Sequence, residues 1–258
     1  MAAARWVVAV MAMTMATMAR AQLQYGFYNA SCPGVEDVVR RELKAVFAND
    51  TTLRAGLLRL HFHDCFSDGP HYEVETGRRD GNVSIKVEAL RDLPPADGNV
   101  TVLTNYFGVK NLTMKDMVVL SGAHTLGVAH CPSFSRRLYN FTGAGDQDPS
   151  LDPAYAKQLA AVCKPGNVAS VEPMDPLTPV KFDNGYYKSV AGHRALLASD
   201  AALLDDSLTG AYVRLLTNDT NQDTFFADFA VSMINMGRVA ALTGTAGEIR
   251  GTCGIFVD

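Results

Sequence analysis

Arg59 and His63 are the two residues of this 258-residue chain whose types and spacing most directly suggest chemistry. They lie four residues apart in the octapeptide RLHFHDCF, residues 59–66, and this spacing places both side chains on one face of a helix. The imidazole could transfer a proton to or from a bound molecule, and the guanidinium could stabilise negative charge that develops on that molecule. A surface salt bridge is the alternative for Arg59, but the leucines around it favour a buried position.

His124 is the second candidate, in the segment LSGAHTLG at residues 120–127. The small residues on either side of it leave room for a flat, bulky ligand. A neutral imidazole in this setting could bind the iron of a porphyrin, provided that its other nitrogen has an acceptor to orient the ring. A histidine whose hydrogen bonds are satisfied within an apolar core is the alternative interpretation.

A zinc site is a third possibility, because four potential ligands lie close together in the sequence. Zinc accepts imidazole and thiolate ligands, but His61 and His63 are two residues apart and point away from each other on a helix. No paired Cys-x-x-Cys motif is present. The pattern therefore argues against zinc at His61, His63, Cys65 and His71.

The elements that must position these side chains are helices. Apolar residues recur at three- and four-residue steps from Val35 to Phe47, and a second helix from about Thr52 to Phe66 would carry Arg59 and His63. Ser67 to Gly98 instead resembles a long loop, rich in Gly and Pro turns. No sustained alternation typical of strands is present, so the sequence predicts an all-α fold with long loops. Further helices are predicted at about 100–107, 114–130 with a Thr113–Asp116 capping box, 154–162, 182–190, 211–216 and 223–241.

Residues 1–21 have the pattern of a secretory signal peptide, which leaves residues 22–258 as the mature domain. Arg5 precedes an apolar run, and Ala19-Arg20-Ala21 is a small-x-small cleavage pattern. A membrane anchor is the alternative, but a span needs roughly 20 apolar residues and this run is shorter. Removal of two arginines changes the formal net charge from −4 to −6, which argues against nucleic acid or an anionic membrane as a partner.

Secretion also predicts glycosylation and disulfide bonds. The five cysteines are an odd number, so in an oxidising compartment at least one lacks an intramolecular partner. The Asn-x-Ser/Thr acceptor sequences begin at Asn29, Asn49, Asn82, Asn99, Asn111, Asn140 and Asn218.

The octapeptide at 59–66 resembles the distal-site motif of the secretory plant (class III) haem peroxidases, and residues 120–127 resemble the proximal motif of the same family. The resemblance implies the all-α haem peroxidase fold, with haem b bound between the two motifs. It implies that His63 and Arg59 are catalytic, that Phe62 lies in the distal pocket, and that His124 binds the iron. Reductive cleavage of a peroxide O–O bond needs both the proton transfer and the charge stabilisation.

Further family landmarks cover most of the mature chain. The resemblance implies that Asp200 accepts a hydrogen bond from His124, that Pro94 helps to form the donor-binding site, and that Cys131 pairs with Cys163. It also implies one proximal Ca²⁺ site, and oxygen ligands of this kind suit that ion. The implied calcium ligands are Thr125, Asp175, Thr178, Lys181 through its carbonyl, and Asp183.

The chain departs from the family between about residues 66 and 69, where a large block of the distal domain is missing. Asp64 is the remnant of the distal calcium site, so we expect that second ion to be lost. The usual partners of Cys32, Cys65 and Cys253 would lie in the missing block, and a Cys32–Cys253 disulfide is one outcome for the shortened fold.

The resemblance implies a secreted monomer that reduces hydrogen peroxide while oxidising small phenolic donors. It implies a role in hydrogen peroxide removal and the oxidative stress response, in the cell wall or apoplast, with the vacuole as an alternative. Because part of the distal domain is missing, the alternative function is a catalytically impaired, haem-free secreted glycoprotein derived from a peroxidase.

Overall fold

The computed structural model describes residues 23–50, 53, 55–56, 72–83 and 85–251. The signal peptide predicted at residues 1–21 lies outside these ranges, as does nearly all of the helix predicted at about 52–66. The predicted distal residues Arg59, Phe62, His63 and Asp64 are outside them as well. So are the remaining residues considered for zinc and one further cysteine: His61, Cys65, His71 and Cys253.

The described part of the chain is mostly helical, as the sequence predicts. None of its helices is both long and apolar enough to span a membrane. The α-helices are α1 (Val35–Asn49), α2 (Lys86–Asp92), α3 (Val100–Gly108), α4 (Met114–Ser121), α5 (Ser135–Tyr139), α6 (Pro153–Val162), α7 (Gly185–Ala191), α8 (Ala198–Ala201), α9 (Ser207–Leu216) and α10 (Gln222–Gly237). Short 3₁₀ helices cover Gly122–Thr125, Cys131–Ser133, Ala202–Leu204 and Asp219–Asn221.

The main apolar core lies where α4, α7, α9 and α10 pack together. Helix α10 contributes Phe225, Phe229 and Met233, which are spaced by four residues and therefore share one buried face. Tyr186 and Tyr187 on α7 are both fully enclosed in this core. A second cluster packs around α5 and α6 and includes Cys131 and Cys163. The segment that carries His124 follows directly from α4, so the main core supports it.

The sequence prediction of one helix from Met114 to His130 is wrong at its second half. Helix α4 ends at Ser121, the 3₁₀ helix Gly122–Thr125 carries His124, and the chain then forms strand β1 (Val128–His130). Gly127 has φ of +96°, a conformation that L-residues avoid, and it redirects the backbone between the two elements. Strand β1 pairs antiparallel with β2 (Val171–Pro173).

Two other predictions about the elements have different outcomes. The loop predicted from Ser67 to Gly98 contains α2, a seven-residue helix that sequence periodicity missed. The capping box is confirmed, because the Thr113 hydroxyl accepts from the Asp116 N–H while the Asp116 carboxylate accepts from the Thr113 N–H. This cap fixes where α4 begins and thus the register of the segment that leads to His124.

Candidate active site around His124

The imidazole of His124 is hydrogen-bonded to a buried carboxylate. Its Nδ1 lies 2.9 Å from Oδ1 of Asp200, whose side chain is 2% exposed. A carboxylate accepts, so Nδ1 carries the proton and Nε2 is the nitrogen that could bind a metal. An acceptor of this kind fixes the tautomer and orientation of a metal-binding histidine and makes it a stronger ligand.

Tyr186 is a member of this cluster that the sequence prediction missed. Its hydroxyl donates to the same Asp200 Oδ1 at 2.8 Å, and its ring meets the His124 ring edge-on, with centroids 6.1 Å apart. Burial, together with the negative charge of Asp200, raises the pKa of Tyr186 well above its usual value, so the phenol stays protonated and donates. A buried tyrosine hydroxyl usually needs a partner, which is the signal that could have indicated its role.

The short helix α8 presents Asp200, and Arg137 holds the chain just before that helix. The Arg137 guanidinium pairs with Asp148, with 2.7 Å between Nε and Oδ2, and both side chains are almost fully buried. Its Nη1 donates to the three successive carbonyls of residues 195–197, immediately before α8. The sequence prediction missed Arg137, although its buried charge now fixes the approach to Asp200.

The five predicted calcium ligands lie together in the structure, next to His124. The Thr178 hydroxyl contacts Asp175 Oδ2 at 2.8 Å and Asp183 Oδ1 at 2.9 Å. The Thr125 hydroxyl donates to the Lys181 carbonyl at 3.2 Å. Thr125, Asp175 and Asp183 are all buried. We call this group of oxygens the oxygen cradle: Thr125, Asp175, Thr178, Lys181 carbonyl and Asp183.

Gly185 forms one wall of the oxygen cradle. A Cβ atom built there would lie 2.3 Å from Thr178 Oγ1, 2.6 Å from Asp175 Oδ2 and 2.8 Å from Asp183 Oδ1. Its N–H donates to Asp183 Oδ1 at 2.7 Å. Two buried carboxylates with hydroxyl and carbonyl oxygens are the donor set that Ca²⁺ prefers, so the residues fit that ion. Among the described residues no three His, Cys, Asp or Glu side chains are grouped as metal ligands, so the cradle would depend on its hydroxyl and carbonyl oxygens as well as its two carboxylates.

Pro94 and three of the cysteines are also among the described residues. Pro94 is exposed in the loop between α2 and α3, and the carbonyl of Ala96 in that loop accepts from the Ser199 N–H at 2.9 Å. The loop is therefore tied to α8. A disulfide joins Cys131 and Cys163, the pair that the resemblance implies, and Cys32 is an exposed free thiol.

The structure thus brings together His124, Asp200 and the five residues predicted as calcium ligands. The distal residues Arg59, Phe62, His63 and Asp64 lie outside the described residues, so their roles stay predictions.

A family model described as "Peroxidase" matches residues 67–219 of this chain. Peroxidase 56 from Arabidopsis thaliana is 39% identical over 295 aligned positions, which cover 90% of this chain and 89% of that protein. Peroxidase 27 from the same plant is 40% identical, with 90% of this chain and 91% of that protein covered. Peroxidase 1 from Oryza sativa subsp. japonica is 39% identical over 326 positions, with 99% of each chain covered.

The alignment with the rice protein also shows that this chain is shorter than its relatives inside the shared region. An alignment of 326 positions cannot be filled by 258 residues, so the rice protein has internal residues that this chain lacks. The predicted place of the gap is between about residues 66 and 69, and the family match begins at residue 67.

Proposed function

Since this chain belongs to the secretory plant (class III) haem peroxidase family, and is therefore a peroxidase, we propose that it is secreted and uses hydrogen peroxide to oxidise small phenolic donors. The observation that carries the proposal is the hydrogen bond from His124 to the buried carboxylate of Asp200. That pair provides an oriented imidazole, which is what a haem iron ligand requires.

Haem b and one Ca²⁺ are the cofactors that the residues fit. When bound, haem supplies the redox chemistry of peroxide reduction, and His124 Nε2 would hold its iron. The oxygen cradle would hold Ca²⁺ through two carboxylates, two hydroxyls and the Lys181 carbonyl. Thr125 follows His124 directly in the chain, so an ion in the cradle would fix the backbone beside the iron ligand.

The proton chemistry is proposed for the distal residues. His63 would take a proton from hydrogen peroxide and return it to the departing oxygen. Arg59 would stabilise the negative charge that develops as the O–O bond breaks, and Phe62 would line the pocket beside His63. Pro94 would help to form the surface on which the phenolic donor binds, and the hydrogen bond between its loop and α8 is compatible with that role.

We further propose that the protein acts as a monomer in the cell wall or apoplast, where it removes hydrogen peroxide during oxidative stress. The signal peptide pattern and the Asn-x-Ser/Thr sequences support secretion. The disulfide between Cys131 and Cys163 suits an oxidising compartment as well.

The test uses the mature chain, residues 22–258, expressed with haem supplied. We expect an absorption band of bound haem and peroxide-dependent oxidation of a phenol such as guaiacol. His63→Leu should lower the rate roughly 10²–10⁴-fold because it removes the proton acceptor, whereas His61→Leu, the matched control, should retain the rate.

Equal rates for His63→Leu and the wild type would contradict the assigned role of His63. A correctly folded mature chain that binds no haem would instead favour the haem-free glycoprotein.

A further inference from the structure

Asp200 accepts hydrogen bonds from two side chains at the same oxygen atom. Oδ1 of Asp200 is 2.9 Å from His124 Nδ1 and 2.8 Å from the hydroxyl of Tyr186. Both Asp200 and Tyr186 are buried. We infer that Tyr186 is a positioning residue that limits how strongly Asp200 polarises His124, an inference that rests on the proposed function of His124 as the iron ligand.

The physical reason is that two donors share one acceptor. A hydrogen bond to a carboxylate oxygen withdraws electron density from it, so each donor weakens the other's bond, and electrostatic effects of this kind are stronger where water is excluded. Asp200 makes His124 a stronger ligand by attracting the Nδ1 proton. The hydroxyl of Tyr186 therefore moderates the donor strength of His124 through Asp200.

The position of the Tyr186 hydroxyl is fixed by the protein around it. Tyr186 is the second residue of α7, and the preceding residue, Gly185, donates its N–H to Asp183 in the oxygen cradle. Its ring also lies against His124 at an interplanar angle of 72°. The hydroxyl of Tyr186 thus fixes the orientation of the Asp200 carboxylate as well as competing with His124 for its Oδ1.

Tyr187 provides a matched control on the same helix. It is as completely buried as Tyr186, but its hydroxyl donates to the backbone carbonyls of Val118 at 3.1 Å and Val119 at 3.3 Å. Tyr187→Phe therefore removes a buried hydroxyl from the same core. It leaves the hydrogen bonds of the Asp200 carboxylate in place.

Two measurements on the full mature chain test the inference. In haem-free protein, the NMR resonance of the His124 Nδ1 proton reports the strength of its hydrogen bond to Asp200. We expect Tyr186→Phe to shift it downfield, because Asp200 then accepts from His124 alone. In ferrous haem-loaded protein, resonance Raman should show the iron–histidine stretch at a higher frequency in Tyr186→Phe. Tyr187→Phe should match the wild type in both measurements.

The inference is overturned if Tyr186→Phe matches the wild type in either measurement, if either signal moves the opposite way, or if the two variants shift together. Failure of the wild type to bind haem would overturn the proposed function instead. The NMR measurement would then still decide whether Tyr186 moderates the bond between Asp200 and His124.

Discussion

Gly185→Ala should abolish the Ca²⁺ binding that we propose for the oxygen cradle, while leaving helix α7 intact. The new Cβ would lie 2.3–2.8 Å from three oxygens of the cradle, and real Cβ atoms essentially never come within 3.0 Å of such atoms. Gly185 has an ordinary helical backbone, so the substitution causes no strain in φ. Alanine also favours a helix over glycine by about 1 kcal/mol, which offsets part of the cost of the contact. The specific effect is therefore on the oxygens that would hold the ion.

The size of the effect follows from the linkage between binding and folding. At a free Ca²⁺ concentration 100 times the dissociation constant, one site stabilises the folded state by about 2.7 kcal/mol. In a domain of this size, 1 kcal/mol corresponds to a change in Tm of roughly 2–4 °C. Calcium should therefore raise the Tm of the wild type by about 5–11 °C, and Gly185→Ala should lose this increase.

Thermal unfolding with excess CaCl₂ and with EGTA measures the increase for each variant. Gly108→Ala is the matched control, because Gly108 is also helical and no atom lies within 4 Å of its added Cβ. The control should keep the full calcium-dependent increase. If Gly185→Ala kept it too, or if calcium failed to stabilise the wild type, the assignment of the oxygen cradle to Ca²⁺ would be refuted.

Two substitutions away from the cradle test what supports the site. Arg137→Met removes the ion-pair partner of the buried Asp148 carboxylate and should lower the free energy of unfolding, measured in urea, by about 3–5 kcal/mol. Arg136→Met alters a neighbouring exposed arginine and should lower it by less than about 1 kcal/mol. Equal losses for the two variants would contradict the role of Arg137. Burial would raise the pKa of Asp116, but the hydrogen bonds to its carboxylate outweigh burial, so the pKa is lowered. The contribution of Asp116 to the stability of the fold is therefore present above its unfolded-state pKa and is lost as the pH falls through its folded-state pKa. Asp116→Asn should therefore cost about 1 kcal/mol at pH 7, and the cost should fall progressively as the pH drops below the ordinary aspartate pKa of about 3.9. A pH-independent cost would argue against this explanation.

Local signals in the sequence were sufficient for several elements. The capping box at Thr113 and Asp116 depends on residues three apart, and the helix from Val35 depends on periodicity within one segment. The turn after His124 was missed because it depends on contacts distant in sequence. A Cβ at Gly122 would lie 2.5 Å from the hydroxyl of Tyr187, and strand β1 exists by pairing with residues more than 40 positions away.

The candidate site shows the same division between local and distant information. Asp200 is 76 residues from His124, so spacing could not pair them and the family resemblance was needed. Tyr186 and Arg137 were missed because tyrosine and arginine are common at the protein surface, and their burial is set by how the helices pack. Residues that support a site through other side chains, without binding a ligand themselves, are therefore hard to identify from a single sequence.

The proposed function depends most on the role of His124 as the ligand of the haem iron. The most direct test is to replace it by glycine in the mature chain and to record the absorption and resonance Raman spectra with and without added imidazole. We expect His124→Gly to lose the iron–histidine stretch of the wild type and imidazole to restore it, while His130→Gly, at an exposed histidine of β1, should resemble the wild type. A His124→Gly protein that retained the wild-type iron–histidine stretch without imidazole would contradict this role.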